Sequence, residues 1–121
     1  MGYIIGIDIG GTKCAVLLGT QQGGIGSRPV LRKKVLFETR KMEGPKEAIQ
    51  MFIRTIREME EEYSVERKDI LGIGISCGGP LDRKSGLILN PPNLPGWVNV
   101  PVCRMLGREF GIPVTLENDA N

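Results

Sequence analysis

A turn near the N-terminus carries the residue types that bind phosphate. Residues 10–13 read Gly-Gly-Thr-Lys and supply backbone N–H groups, a hydroxyl and an ammonium within a few positions. Asp8 precedes the turn inside an apolar strand, where an unpaired carboxylate is costly to bury, so we expect it to face a cation or a polar cleft. An ordinary β-hairpin with an exposed Lys13 explains the same residues, and both interpretations stay open at this point.

Two better-known phosphate motifs fit this stretch poorly. Residues 6–13 read G-x-x-x-x-G-T-K, which reverses the last two positions of the Walker motif. The Walker loop and the dinucleotide fingerprint both need a helix directly after the glycines, whereas Cys14 to Leu18 has the composition of a strand. The turn is therefore predicted to join two strands of a β-hairpin.

A second carboxylate, Asp119, follows a predicted strand and is preceded by Asn118. Open sheets bind their ligands beyond the carboxyl ends of strands, so Asp119 is a candidate general base. The chain contains no histidine, which leaves a carboxylate or a lysine for that role. The alternative is that Asn118 and Asp119 cap a helix that starts at Ala120.

Length and composition predict one folded domain, and the net charge does not predict binding to nucleic acid or membranes. The 121 residues are 40% hydrophobic and 25% charged, which is ordinary for a globular domain and too apolar for a disordered chain. Sixteen Lys+Arg against fourteen Asp+Glu leave +2, too small a surplus to predict binding to nucleic acid or membranes. A basic stretch at 28–41 is interleaved with apolar residues and Glu38, so we interpret it as an outer strand with solvated charges.

Cysteine usage and the terminus predict a cytoplasmic protein. Cys14, Cys77 and Cys103 are widely spaced and lack a C-x-x-C pair, so they predict neither a disulfide framework nor a zinc knuckle. The N-terminus lacks the pattern of an export signal, and no apolar stretch approaches the ~18 residues that span a bilayer. We therefore expect a protein of a reducing compartment that neither crosses a membrane nor is exported.

The strands and helices that must position these residues can be predicted from the spacing of apolar residues and from the residues typical of turns. Helical spacing of apolar residues begins after Pro45, and short β-branched runs bounded by glycine, proline and asparagine predict strands. The predicted order is β-β-β-α-β-α-β, an α/β domain with a mixed five-stranded sheet. The predicted strands are Tyr3–Ile9, Cys14–Leu18, Val30–Glu38, Asp69–Ser76 and Pro113–Glu117, and the predicted helices are Pro45–Tyr63 and Val102–Phe110. The proline-rich stretch 77–97 is predicted to be a long functional loop.

Four motifs in this order and spacing resemble the N-terminal domain of the ROK family of sugar kinases and sugar-responsive repressors. They are GIDIGGTK at 6–13, GISCGGPLD at 74–82, NLPGW at 93–97 and ENDAN at 117–121. Each motif alone is weak, but together they extend over the whole chain. The resemblance implies a ribonuclease H-like, actin-like ATPase fold, in agreement with the predicted order of elements. It also implies an ATP-dependent hexose kinase, most similar to bacterial ROK glucokinases.

The resemblance further implies roles for individual residues. Asp8 would organise Mg²⁺ through water, and Asp119 would take the proton from the attacking sugar hydroxyl. The phosphates of ATP would bind Gly10, Gly11, Thr12 and Lys13, and the sugar pocket would be lined by Gly79, Asn93, Asn118 and Asp119. Phosphoryl transfer needs positioning, a metal that spreads charge and a base near the acceptor hydroxyl, so a carboxylate can serve without histidine.

By the same resemblance, residues 1–121 are the N-terminal domain of a longer protein. The family's adenosine-binding domain, part of its sugar pocket and its zinc motif of three cysteines and a histidine all follow the last motif matched here. We therefore expect a fragment without its C-terminal domain, inactive alone, with structural zinc possible only in the absent part. The intact protein is expected to be a homo-oligomer that binds a sugar and ATP, and not nucleic acid through this domain.

Two alternatives to the kinase stay open. Repressors of the family carry a winged helix-turn-helix before the first strand, and only Met1 and Gly2 precede Tyr3, which favours the kinase unless the N-terminus has been shortened. The other alternative is a domain that binds a nucleotide or a partner without catalysis. It would require Asn121 to be the natural end of the protein.

Overall fold

The computed structural model describes residues 2–21 and 28–119. In chain order the described elements are β1 (Gly2–Ile9), β2 (Lys13–Gln21), β3 (Val30–Glu38), a 3-10 turn (Thr39–Lys41), α1 (Gly44–Glu62), a second 3-10 turn (Arg67–Asp69), β4 (Ile70–Cys77), β5 (Leu81–Asp82), β6 (Leu87–Ile88), α2 (Val102–Phe110) and β7 (Val114–Asn118). Pro45 lies in the first turn of α1, where its missing N–H costs nothing.

The five long strands form one mixed sheet in the order β3-β2-β1-β4-β7. Strands β1, β2 and β3 pair antiparallel, with Gly6 opposite Leu17 and Leu17 opposite Lys34, so the glycine turn after Ile9 joins a hairpin. Strands β4 and β7 run parallel to β1, which brings the carboxyl ends of these three strands to one end of the sheet. The mixed five-stranded sheet with two helices is confirmed, and the predicted order holds for these five strands and both helices.

The core lies between the sheet and the helices, because each contributes one apolar face. Phe52 and Ile56 of α1 are fully buried in the same cluster as Ile5 and Ile7, which alternate along β1. Removing a side chain of this size from water contributes roughly 1.5 to 3 kcal/mol. Neither helix of the described residues is long and apolar enough to cross a membrane.

Helix α2 is anchored at its C-terminal end, and this end leads directly into β7. Gly111 caps the helix in the left-handed conformation with φ 68°, which a side chain would strain. The guanidinium of Arg67 lies 4.7 Å from the ring centroid of Phe110 and pairs with Glu60 at 2.8 Å. These contacts fix the start of β7 and therefore the place where it ends.

The structure corrects the sequence interpretation in one segment. Residues 77–97, predicted to be one long loop, contain the hairpin β5–β6, and Ile88 of this hairpin also bridges to Val100. Strands of two residues are too short for hydrophobic alternation to be visible in the sequence. Other boundaries shift slightly, since β2 continues to Gln21 and Tyr63 is the C-cap of α1 rather than part of it.

Candidate active site

Three strand ends converge on one cleft. Asp8, near the end of β1, lies opposite Ala15 of β2 on one side and opposite Ser76 of β4 on the other. Asp119 follows β7 directly, and its N–H donates to the carbonyl of Cys77 on β4 over 3.1 Å. Because β1, β4 and β7 are parallel neighbours, both carboxylates reach the same cavity.

The cavity has a volume of about 320 Å³, and its walls are Asp8, Ile9, Gly10, Lys13, Ser76 and Asp119. Asp8 and Asp119 are exposed, so neither carboxylate carries the cost of burial without a partner. Two carboxylates, a hydroxyl and an ammonium around one cavity offer acceptors for a proton or a cation beside a donor for an anion. The alternative role of Asp119 as a helix cap involves Ala120, which lies outside the described residues.

The turn at residues 10–13 is closed by its own backbone and held by the end of β3. The N–H of Gly10 donates to the carbonyl of Lys13 over 3.1 Å, and a Cβ at position 10 would lie only 2.8 Å from that oxygen. Glycine alone permits this closure without a shift. The Thr39 hydroxyl donates to the carbonyl of Gly10 at 2.7 Å, and the Thr39 N–H donates to the carbonyl of Thr12 at 2.9 Å. No sequence motif pointed to Thr39.

The predicted sugar-pocket residues meet around the loop that follows β4. A Cβ on Gly78 would lie 3.8 Å from Oδ1 of Asp119 and 3.9 Å from Oδ1 of Asn93, so these two side chains approach the same point. A Cβ on Gly79 would lie 2.8 Å from Nδ2 of Asn118, so the bare glycine makes room for that amide. The structure brings the four residues close together, and Gly78, which was not among the predicted site residues, lies among them.

The hairpin β5–β6 braces this loop against the end of β7. Arg83, at the turn of the hairpin, donates to Glu117 of β7 at 2.9 Å. The N–H of Leu89 donates to the carbonyl of Pro80 at 3.1 Å, and the carbonyl of Leu89 accepts from the N–H of Asn99 at 2.7 Å. The segment predicted to be a loop is therefore tied to the strand that carries Asn118.

Cys77 lies next to the cleft but does not supply a reactive group. Burial, together with the nearby charge of Asp119 and the neighbouring Cys14, raises the pKa of Cys77 to about 12. The Cys77 thiol is therefore protonated at neutral pH and is a poor nucleophile. Within residues 2–21 and 28–119, no three His, Cys, Asp or Glu side chains are grouped so that they could hold a metal ion by themselves.

Comparison with known proteins gives the same family across nearly the whole chain. The family model described as "ROK family" matches residues 4–121. The chain is 35% identical over 118 residues to the glucokinase of Thermotoga maritima and 30% identical over 121 residues to the xylose repressor of Caldicellulosiruptor bescii. These matches cover 98% and 100% of this chain but 34% and 29% of the two relatives. The chain thus spans about a third of the length of the curated relatives it matches.

Solved structures agree with the fold. The ROK hexokinase from Thermus thermophilus has a TM-score of 0.76 and 34% identity, over 98% of this chain and 36% of that one. The inorganic polyphosphate/ATP-glucomannokinase from an Arthrobacter species has a TM-score of 0.72 at 20% identity, over 99% and 45% of the two chains, and supports the fold alone. The ribonuclease H-like, actin-like ATPase fold implied by the sequence motifs is therefore confirmed. The profile match over residues 4–121 and the close relatives establish that this chain belongs to the ROK family.

Proposed function

We propose that this chain is the N-terminal domain of an ATP-dependent kinase that phosphorylates a glucose-like hexose. The observation that carries the proposal is that Asp8, Lys13 and Asp119 line one and the same cavity. The glucokinase and the hexokinase among the relatives support the substrate class. The fold by itself does not indicate a substrate, because proteins of one fold perform many functions.

In this proposal the turn at residues 10–13 binds the ATP phosphates. Gly11 and Thr12 offer backbone N–H groups and a hydroxyl, Gly10 closes the turn through its own N–H, and Lys13 brings an ammonium to the wall of the cavity. Charge-assisted hydrogen bonds to phosphate oxygens are short and about twice as strong as neutral ones. They would hold the terminal phosphate beside Lys13, which is the one cation among the named walls of the cavity. Asp119 lines the same cavity.

The oxygen groups of the cavity fit a hydrated Mg²⁺. This ion prefers oxygen ligands, keeps several waters and usually takes one or two carboxylates together with substrate phosphates. Asp8 supplies an exposed carboxylate beside the phosphate turn, and no larger set of protein ligands surrounds it in the described part of the chain. Asp8 would therefore hold the ion through water. When bound, Mg²⁺ would spread the negative charge of the transferring phosphoryl group.

The sugar is proposed to bind beside Asp119, in the region where Gly79, Asn93 and Asn118 lie close to it. Asparagine amides both donate and accept hydrogen bonds, which suits a ring of hydroxyl groups. The oxygen of the reacting hydroxyl attacks the γ-phosphorus, the bond from that phosphorus to the bridging oxygen breaks, and Asp119 accepts the hydroxyl proton. Holding both substrates in one cleft supplies much of the rate.

We place the rest of the active site in a C-terminal domain of the intact protein. The chain spans only about a third of the length of its relatives, which supports a two-domain kinase. The adenosine site, further sugar contacts and any structural zinc would belong to that second domain. Residues 1–121 alone would then fold without phosphorylating a sugar.

The test is an ADP-release assay of the intact protein with Mg·ATP and a panel of aldohexoses. We expect turnover with at least one glucose-like hexose, dependence on Mg²⁺, and no turnover by residues 1–121 alone. A folded intact protein that phosphorylates none of the sugars would refute the kinase.

A second candidate is a sugar-responsive repressor. The observation in its favour is the 30% identity to the xylose repressor over 100% of this chain. A repressor would bind an operator fragment and release it when the sugar is added, without consuming ATP. A gel-shift assay run beside the ADP-release assay separates the two functions.

A further inference from the structure

Thr39 lies where β3 ends, beside the turn that we propose to hold the ATP phosphates. Its hydroxyl donates to the carbonyl of Gly10 at 2.7 Å, and its N–H donates to the carbonyl of Thr12 at 2.9 Å. Its Oγ1 also lies 3.3 Å from Sγ of Cys14, a side chain that is 1% exposed. Thr39 is therefore held by the core on one side and holds both halves of the turn on the other.

The hydroxyl bond to Gly10 controls the orientation of the next amide. A trans peptide is planar, so the C=O of Gly10 and the N–H of Gly11 point in opposite directions. With glycine on both sides, this peptide unit has wide freedom to rotate. A carbonyl held by Thr39 removes that freedom and aims the Gly11 N–H away from Thr39.

We propose that Thr39 is a positioning residue for nucleotide binding, whose hydroxyl orients the Gly10–Gly11 peptide so that the Gly11 N–H is presented to an ATP phosphate. Thr39 is not among the walls of the cavity and acts through the turn. The inference rests on the proposed phosphate-binding function of the turn. It adds a residue that no motif of the phosphate turn contains.

Two substitutions at Thr39 and one matched control separate positioning from stability. Thr39→Val keeps the shape of the side chain and removes the donor, whereas Thr39→Ser restores it. Thr55→Val is the control, because Thr55 is a buried threonine, at 5% exposure, whose hydroxyl donates to the carbonyl of Met51 within α1 at 2.8 Å. Calorimetric titration of the intact protein with Mg·ATP, and separately with the hexose, gives both dissociation constants for each variant.

We expect Thr39→Val to raise the Kd for Mg·ATP by about five- to tenfold, as the loss of one neutral hydrogen bond does, with the Kd for the sugar unchanged. Thr39→Ser and Thr55→Val should stay within about twofold of wild type on this scale. If Thr39→Val does not fold, Thr39→Ala compared with Thr39→Ser answers the same question.

Wild-type affinity for Mg·ATP in the folded Thr39→Val protein, or equal weakening of ATP and sugar binding, would overturn the role of Thr39. A wild-type protein that does not bind Mg·ATP would instead overturn the proposed function of the turn, and the role of Thr39 with it. The two failures are distinguishable because only the second affects the unmodified protein.

Discussion

Gly11, in the turn at residues 10–13, lies against the backbone of Asn93 in the loop after β6: a Cβ at position 11 would lie 2.5 Å from the Asn93 carbonyl oxygen and 3.0 Å from the Asn93 Cβ. Because the nearest atom belongs to the backbone, a side chain at position 11 would force the turn or the loop to move. The proposed nucleotide and sugar sites therefore touch each other directly.

Gly11→Ala should weaken sugar binding even when no nucleotide is present. We expect the Kd for the hexose to rise by about tenfold, because displacing the Asn93 backbone would cost about one hydrogen bond to the sugar. Titration of the intact protein with sugar alone measures it. Gly6→Ala is the control, since its Cβ would make only ordinary contacts at 3.6 Å. Equal sugar affinity in Gly11→Ala and wild type would contradict the contact.

Asp119→Asn should lower kcat by about 10²-fold or more while leaving the Kd for ATP nearly unchanged, because the amide keeps the shape but cannot accept a proton. A helix cap would tolerate this change, since asparagine caps helices well. Asp69→Asn, far along the chain in a 3-10 turn, is the matched control. Normal kcat in Asp119→Asn for every sugar would end the assignment of Asp119 as general base.

Asp8→Asn should raise the Mg²⁺ concentration required for half-maximal turnover by about tenfold, because a neutral amide stabilises a hydrated cation less than a carboxylate does. The measurement is a Mg²⁺ titration of the initial rate at fixed ATP. Asp119→Asn serves as the comparison, since its residual rate should keep the wild-type Mg²⁺ midpoint. An unchanged midpoint in Asp8→Asn would remove Asp8 from the metal site.

Gly86→Ala should destabilise the fold by about 2 to 4 kcal/mol, through positive-φ strain and overlap with α2. Gly86 has φ 70°, and its Cβ would lie 2.4 Å from the Cβ of Cys103. Gly111→Ala tests the strain alone, because Gly111 has φ 68° and a Cβ there would have no atom within 4 Å. This variant should lose about 1 kcal/mol of unfolding free energy. Urea unfolding gives the free energy of unfolding of both variants. An equal loss of stability in the two would argue against the overlap between a side chain at position 86 and Cys103.

The free energy of unfolding should fall as pH rises from about 9 to about 12. Burial raises the pKa of Cys77 to about 12 in the folded protein, so the unfolded chain loses this proton first. The stabilisation is complete below the unfolded pKa and is lost as the pH approaches the folded one. Cys77→Ala should flatten this slope relative to wild type in urea unfolding at several pH values. Identical slopes would show that Cys77 ionises freely.

The long elements were predictable because local patterns determine them. Alternation of apolar residues in β1, helical spacing in α1 and the glycine after Phe110 are all visible in the chain itself, and the observed α2 ends at that glycine. The hairpin β5–β6 was missed, because two-residue strands are formed by contacts with distant segments such as Val100.

The same division holds for the site. The sequence by itself determined the family, through its four motifs, and the chemical inventory of Asp8, the glycine turn, Lys13 and Asp119. Only the tertiary structure decided that Asp8 and Asp119 share one cavity, because parallel pairing of β1, β4 and β7 joins residues more than a hundred positions apart in the chain. It also decided the contact of Thr39 with Gly10, since a hydroxyl at a strand end acquires a partner only when β3 folds back onto the hairpin.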